Sequence, residues 1–124
     1  MPASILVVDD DPTILEVAAL LLRNAGYEVR TANDGIEAGY AVLKRRPDLI
    51  ITDAAMPYMD GFELVAAVRS DSSVASVPVI ILTSHSEWEE RGARIGVDGY
   101  MAKPLRADRL LALVAVHLKR DVVW

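Results

Sequence analysis

Asp53 ends a short apolar run, Leu49-Ile50-Ile51-Thr52, and three other runs of the same kind also close on residues able to do chemistry. Asp9 and Asp10 follow Ile5-Leu6-Val7-Val8, Thr83 and Ser84 follow Ile81-Leu82, and Lys103 follows Tyr100-Met101-Ala102. Such runs read as buried strands, and in an open parallel sheet the reacting groups gather in the crevice beyond the carboxyl ends of the strands. Carboxylates brought together there repel one another and resist ionisation unless a cation joins them. A hard, oxygen-binding ion such as Mg2+ suits that donor set, and Mg2+ commonly completes its shell with a phosphate oxygen. A hydroxyl and an ammonium aimed at the same crevice would neutralise the oxygens of a transferring phosphoryl group. Asp53, alone at the centre, is the expected nucleophile, leaving Asp9 and Asp10 to hold the metal. A carboxylate attacking phosphorus gives an aspartyl phosphate, a mixed anhydride that stores energy and can be hydrolysed.

The elements that must position these groups alternate along the chain. Ile5–Val8 reads as a strand, and Asp11-Pro12 as a cap with proline at the first helical position. The helix that follows places Ile14, Leu15, Ala18, Leu21, Leu22 and Ala25 on one face and stops at Gly26. Tyr27–Thr31 alternates as a half-exposed strand. Asn33-Asp34 caps a second helix ending in Lys44-Arg45-Arg46, where positive charge suits the dipole, before Pro47. Leu49–Thr52 is the third strand, and Asp60-Gly61 opens a helix with Phe62, Val65 and Val68 inward. A small polar loop, Asp71–Ser76, leads to a fourth strand over Val77–Leu82, with Pro78 tolerated near its start. Ser86-Glu87-Trp88-Glu89 has the form of a capping box and predicts a short helix reaching Gly96; Gly99–Ala102 is a fifth strand. Pro104 leads into a last helix through Leu110, Leu113, Val114 and Leu118.

Five such units predict an α/β fold, a doubly wound parallel sheet with helices on both faces and right-handed crossovers. The first, third and fourth runs are apolar throughout and belong inside, whereas the mixed second and fifth belong at the edges. That pattern predicts the flavodoxin-like order 2-1-3-4-5, which sets Asp9 and Asp10 beside Asp53.

With 124 residues, the chain is expected to form a single domain over residues 1–124 with a core of its own. It is 52% hydrophobic and 25% charged with a net charge of −5, which leaves no footprint for nucleic acid. Without cysteine there is no disulfide framework, zinc site of the usual kind or thiol chemistry. The start, Met1-Pro2-Ala3-Ser4, lacks a basic segment, and no apolar run approaches the ~20 residues that span a bilayer. A cytoplasmic protein without membrane contact is expected.

Each residue also has a plainer reading. Asp9, Asp10 and Asp11 could all serve a helix N-terminus, and for Asp11 that is the expected role. Thr83 alone reads as a strand end with a satisfied hydroxyl, Lys103 as a surface charge and Tyr100 as an edge-strand aromatic. Jointly, acid, acid, hydroxyl and ammonium at four strand ends favour a site.

At these residues the chain resembles the receiver domain of two-component response regulators, the CheY-like family. The resemblance covers essentially the whole chain. It rests on Val7-Val8-Asp9-Asp10-Asp11, Asp53 with Met56-Pro57-Tyr58-Met59-Asp60-Gly61, Thr83-Ser84, and Tyr100-Met101-Ala102-Lys103-Pro104. It implies that Asp53 accepts a phosphoryl group from a sensor histidine kinase or phosphotransfer protein. It further implies that Asp9, Asp10, Asp53 and the Ala55 backbone carbonyl hold Mg2+, that Thr83, Ser84 and Lys103 contact the phosphoryl oxygens, and that the Lys103-Pro104 peptide is cis. Phosphorylation places a group of roughly −1.5 to −2 charge at one point, which would draw in Thr83 and Lys103 and vacate space for Tyr100. A downstream protein partner would read the changed surface. Ala55 and His85 fall at positions that tune acyl-phosphate hydrolysis in the family.

Two departures stand out. The Thr83 to Lys103 segment is two residues shorter than is usual in the family, and Asp98-Gly99 replaces the paired acids of many relatives. The stretch Leu110–Val116 is read as a broad core-facing helix, with a protein interface or homodimer as the sharper alternative, tested by Leu111→Arg.

Two other classes compete. Asp9-Asp10-Asp11-Pro12-Thr13 fits the D-x-D-x-T pattern of haloacid-dehalogenase-like phosphatases, with Asp9 as nucleophile and Asp11 as acid/base. That reading leaves Asp53 idle and finds no acidic pair after Lys103. A flavin-binding domain lacks the Gly-rich or Ser/Thr-rich loop after the first strand.

Overall fold

The structure is a computed structural model and describes residues 2–84 and 96–118. Its elements are β1 (Ser4–Val8), α1 (Pro12–Asn24), β2 (Glu28–Ala32), α2 (Gly35–Lys44), β3 (Leu49–Asp53), α3 (Gly61–Ser70), β4 (Val79–Thr83), β5 (Gly99–Ala102) and α4 (Ala107–Leu118). All strand pairs are parallel and the order is β2-β1-β3-β4-β5, as the run compositions predict. Every residue of β1, β3 and β4 is buried, while β2 and β5 alternate with partly exposed positions, so the apolar runs lie inside and the mixed runs at the edges.

Alternation along the strands divides the core into two layers. Leu6, Val8, Ile50, Val79 and Ile81 face α2 and α3, with Phe62 and Val65 closing over them. Ile5, Val7, Leu49, Ile51, Ile80 and Leu82 face α1 and α4, where Leu15, Leu22, Leu110 and Val114 cover them. Two-residue alternation therefore decides which strand-end side chains can meet.

The helix starts follow the cap chemistry of the sequence. Asp11 accepts the Thr13 N–H at 2.9 Å with Pro12 in the first turn. Asp34 alone, and not Asn33, caps α2 through the Glu37 N–H. Asp60 and Glu63 form a reciprocal capping box on α3.

Several boundaries differ from the sequence reading. The first helix ends at Asn24, leaving Ala25 exposed, while Ala19 takes a buried place. The second helix stops at Lys44 because Arg45 is extended; the Arg30 guanidinium donates to the carbonyls of Ala41 and Arg45 and completes that terminus. β4 begins at Val79, since Val77 and the buried Val74 belong to the turn after α3. In the last helix Leu110 and Val114 are buried and Leu111 and Leu113 partly so, as a core-facing helix requires, while Val116 is exposed. The predicted helix from Ser86 lies outside the described residues.

Candidate functional site

Strand register brings the chemistry together. Val8 pairs with Thr52, so Asp9, one residue on, is level with Asp53; Asp53 pairs with Leu82, and Thr83 pairs with Ala102, which precedes Lys103. Side-chain parity then sorts them. Asp9 continues the Ile5-Val7 face, Asp53 the Leu49-Ile51 face and Lys103 the Met101 face, all on the α1/α4 side. Thr83 continues the Val79-Ile81 face, and Tyr100 packs on the same α2/α3 side.

The three groups on one side do meet. The Lys103 ammonium lies 3.1 Å from Asp53 Oδ1 and 3.2 Å from Asp9 Oδ2. Asp9 is fully buried and Asp53 is 7% exposed. The Asp9 carboxylate divides its work, because Oδ1 accepts the Asp11 N–H at 2.9 Å. Its Oδ2 is buried and receives no hydrogen bond of good geometry, so it has the ammonium beside it but lone pairs unused. Asp10 is exposed at the mouth, and one carboxylate oxygen from each of Asp9, Asp10 and Asp53 fits within 4.8 Å of the others.

Burial and crowding set the electrostatics. Burial pushes the Asp53 carboxyl above the ordinary carboxylate range and the Asp10 charge adds to this, against the hydrogen bond and charge of Lys103. Asp9 is also raised, by burial first and by the Asp53 charge, against the Asp11 N–H and Lys103. Burial disfavours the Lys103 ammonium, but the Asp53 and Asp9 carboxylates outweigh it and hold its pKa above the usual lysine value. A cluster in which both buried acids resist ionisation despite a bound ammonium is short of positive charge. Its donors are all hard carboxylate oxygens, one of them underused, which fits a divalent cation of the Mg2+ kind.

The loop after Asp53 is fastened by close approaches. A Cβ on Gly61 would stand 2.3 Å from the Asp53 carbonyl oxygen, and one on Gly35 would stand 2.6 Å from the Met59 carbonyl oxygen. Gly61 N also donates to Ala54 O, and Ala54 N to Leu82 O, each at 3.0 Å. In the sequence Gly61 reads only as part of a helix start, and Gly35 carries no local signal. The contacts that require these glycines are made with residues distant along the chain.

Among the remaining predicted residues, Thr83 is buried at the end of β4 with its carbonyl accepting the Lys103 N–H, and Ser84 is exposed just beyond it. Tyr100 is partly buried, Ala55 is exposed, and the Lys103-Pro104 peptide is cis. His85, and most of the shortened Thr83 to Lys103 segment, lie outside the described residues.

Comparison with known proteins places the chain in a family. A family profile described as "Response regulator receiver domain" matches residues 5–115. The chain is 36% identical over 118 residues to the DNA-binding dual master transcriptional regulator RpaA of Synechocystis, a match covering 94% of this chain and 49% of that protein. It is 36% identical over 123 residues to the DNA-binding response regulator MtrA of Mycolicibacterium smegmatis, covering 98% of this chain and 53% of that protein. The chain thus spans about half the length of these curated relatives. Among solved structures, the chemotaxis response regulator CheY4 of Vibrio cholerae is similar at a TM-score of 0.91 and 39% identity, with 95% of this chain and all of that one covered.

Proposed function

Because this chain belongs to the response regulator receiver family of two-component signalling, we propose that it is a phosphoacceptor switch, with Asp53 taking a phosphoryl group from the phosphohistidine of a sensor histidine kinase or phosphotransfer protein. The observation that carries the reading is the Asp53 carboxylate, nearly buried at the central strand end with Lys103 at 3.1 Å and two further acids beside it.

In the proposed transfer an Asp53 oxygen attacks phosphorus. One P–N bond breaks and one P–O bond forms, and the imidazole leaves with the electron pair of the broken bond. Lys103 already faces the acceptor oxygen and is placed to meet negative charge on the phosphoryl oxygens. Thr83 and Ser84, at the next strand end, are assigned as further contacts to those oxygens. Asp9, Asp10 and Asp53, with the Ala55 carbonyl, are assigned to hold Mg2+, which when bound supplies charge neutralisation at the phosphoryl oxygens. Hydrolysis reverses the charge change: water adds to phosphorus, the P–O bond to Asp53 breaks, and inorganic phosphate leaves with the carboxylate restored. Ala55 and His85 are assigned to tuning that step.

Signalling is assigned to Thr83 and Tyr100, which by strand alternation share the face opposite to Asp9 and Asp53. Drawing Thr83 toward a phosphorylated Asp53 alters the packing beside Tyr100 and changes the surface offered to a downstream protein. The net charge of −5 supports leaving nucleic-acid contact to other parts of such proteins. None of the described helices is long and apolar enough to cross a membrane, which is compatible with the proposed cytoplasmic setting. Burial of Asp9 and the tie of its Oδ1 to Asp11 disfavour the phosphatase alternative, since its nucleophile would be shut in and its acid/base, Asp11, is engaged in capping α1.

The test is incubation with acetyl phosphate and Mg2+, followed by borohydride trapping and peptide mass mapping. The expected label is on Asp53 and is absent in Asp53→Asn. A label on Asp9, or equal labelling of the variant, would overturn the assignment.

A further inference from the structure

Tyr58 is the single described non-glycine residue with positive φ, at 69°, and the residue is 82% exposed. Met59 N donates to Pro57 O at 2.8 Å, so Tyr58 is the centre of a γ-turn of the rare positive-φ kind. For a bulky side chain this region is strained, whereas glycine or asparagine enters it readily.

The surroundings explain the turn but not the tyrosine. The Met59 carbonyl and Cβ close over Gly35, and Asp60 is committed to capping α3, so the chain is held firmly just after the turn at residue 58. A smaller residue would meet that demand at lower cost. An exposed ring gains little from the protein's own core, so the choice of tyrosine finds no return inside the molecule.

Its place suggests where the return lies. Tyr58 stands five residues from Asp53, in the loop leaving the carboxyl end of β3. Asp53 is nearly buried, so a phosphoryl group carried on another protein reaches it only when that protein's surface covers the loops around the crevice. Aromatic rings are the residues interfaces most often use at such points, since they offer large area with two torsions to fix. A small phosphodonor needs no such cover.

Resting on the phosphoacceptor reading above, we propose that Tyr58 is a specificity-determining contact for the protein phosphodonor, held outward by a strained turn beside the acceptor. The probes are acetyl phosphate and a panel of histidine kinases of the source organism, each autophosphorylated with labelled ATP. Tyr58→Asn should keep its melting temperature or gain, and should take label from acetyl phosphate at the wild-type rate. It should lose roughly tenfold or more in kcat/KM with the kinase that serves the wild type best, the size of effect expected for one truncated interface aromatic. Tyr58→Phe should retain most of the kinase-dependent rate. Unchanged kinase transfer in Tyr58→Asn, a parallel loss with both donors, or a wild type that accepts acetyl phosphate but no kinase would each overturn the proposal. Failure of acetyl phosphate to label wild-type Asp53 would instead overturn the phosphoacceptor reading itself.

Discussion

Replacing Gly61 by alanine tests whether the close approach of α3 to the end of β3 sets the position of Asp53. The new Cβ would stand 2.3 Å from the Asp53 carbonyl oxygen and 3.1 Å from Ala54 Cα. Real Cβ atoms essentially never come within 3.0 Å, so the two must part by at least 0.7 Å. The neighbours are backbone, pinned by the Ala54 N to Leu82 O and Gly61 N to Ala54 O bonds, so no flexible side-chain end can yield. Overpacking of this kind costs about 1–3 kcal/mol, and each weakened hydrogen bond adds up to about 1 kcal/mol. Alanine's better helix propensity offsets less than about 1 kcal/mol at a first-turn position. The net loss is about 2–3 kcal/mol, which an unfolding entropy of about 2.1 cal/mol/K per residue converts to a fall in melting temperature of about 8–12 °C. Because Asp53 moves with its carbonyl, labelling by acetyl phosphate should slow by roughly 10- to 100-fold. The space requirement, not the dihedral, is at stake, since the described glycines with positive φ are Gly26 and Gly96. Circular dichroism melting and a labelling time course decide the matter. A variant melting within about 2 °C of wild type and labelling at the wild-type rate would refute the argument.

Gly39→Ala should have the opposite sign. It is interior to α2, an added Cβ meets nothing within 4 Å, and it borders an open apolar groove of about 290 Å³ between α2 and α3. A gain of about 0.5–1 kcal/mol is expected in urea unfolding. In chelator, Asp53→Asn should stabilise the protein at neutral pH and progressively less on acidification. The folded carboxyl pKa is raised above 3.8, so the folded state holds the extra proton and the penalty of ionisation grows as pH rises through the raised value. A stabilisation independent of pH between about 4 and 7.5 would contradict this. Lys103 has the reverse dependence: its contribution is present below 10.5 and lost as pH rises through its raised pKa. Mg2+ at about a hundred times its Kd should add about 2.7 kcal/mol to stability, and Asp10→Asn should remove most of that gain in a thermal-shift titration.

What could be read in the sequence and what could not divide along physical lines. Strand order was legible because burial on both faces leaves β1, β3 and β4 apolar, while β2 and β5 keep polar positions. The meeting of Asp9, Asp53 and Lys103 followed from that order, since Asp53 ends its strand and Asp9 and Lys103 each come one residue after the last pairing of theirs. Caps were legible at Asp11 and Asp60 because they act over two or three residues. Long-range satisfaction was not. Arg69 donates to the carbonyls of Ala75, Val77 and Gly96 and to Asp98, partners as many as 29 residues away. Arg30 ends α2 from the neighbouring strand. Gly35 and Gly61 are needed for approaches between segments that only the folded chain creates, and the turn at Tyr58 stands just before one of them.

Charge counting links the resting site to the proposed switch. Ionised Asp9, Asp10 and Asp53 contribute −3 and Lys103 contributes +1, so the cluster stands at −2 and neutrality calls for two positive charges. Phosphorylation replaces the −1 of the Asp53 carboxylate by roughly −2, which takes the same four groups to roughly −3. A divalent cation no longer suffices at that point, and further donors must turn toward the crevice. Lys103 is already there at 3.1 Å, so it can follow the charge but cannot supply more of it. The next strand end belongs to Thr83, whose side chain continues the opposite face. Recruiting its hydroxyl therefore moves a group out of the α2/α3 layer, the one in which Tyr100 packs. The parity that unites the acids with Lys103 is thus also what would force the phosphorylation signal across the sheet.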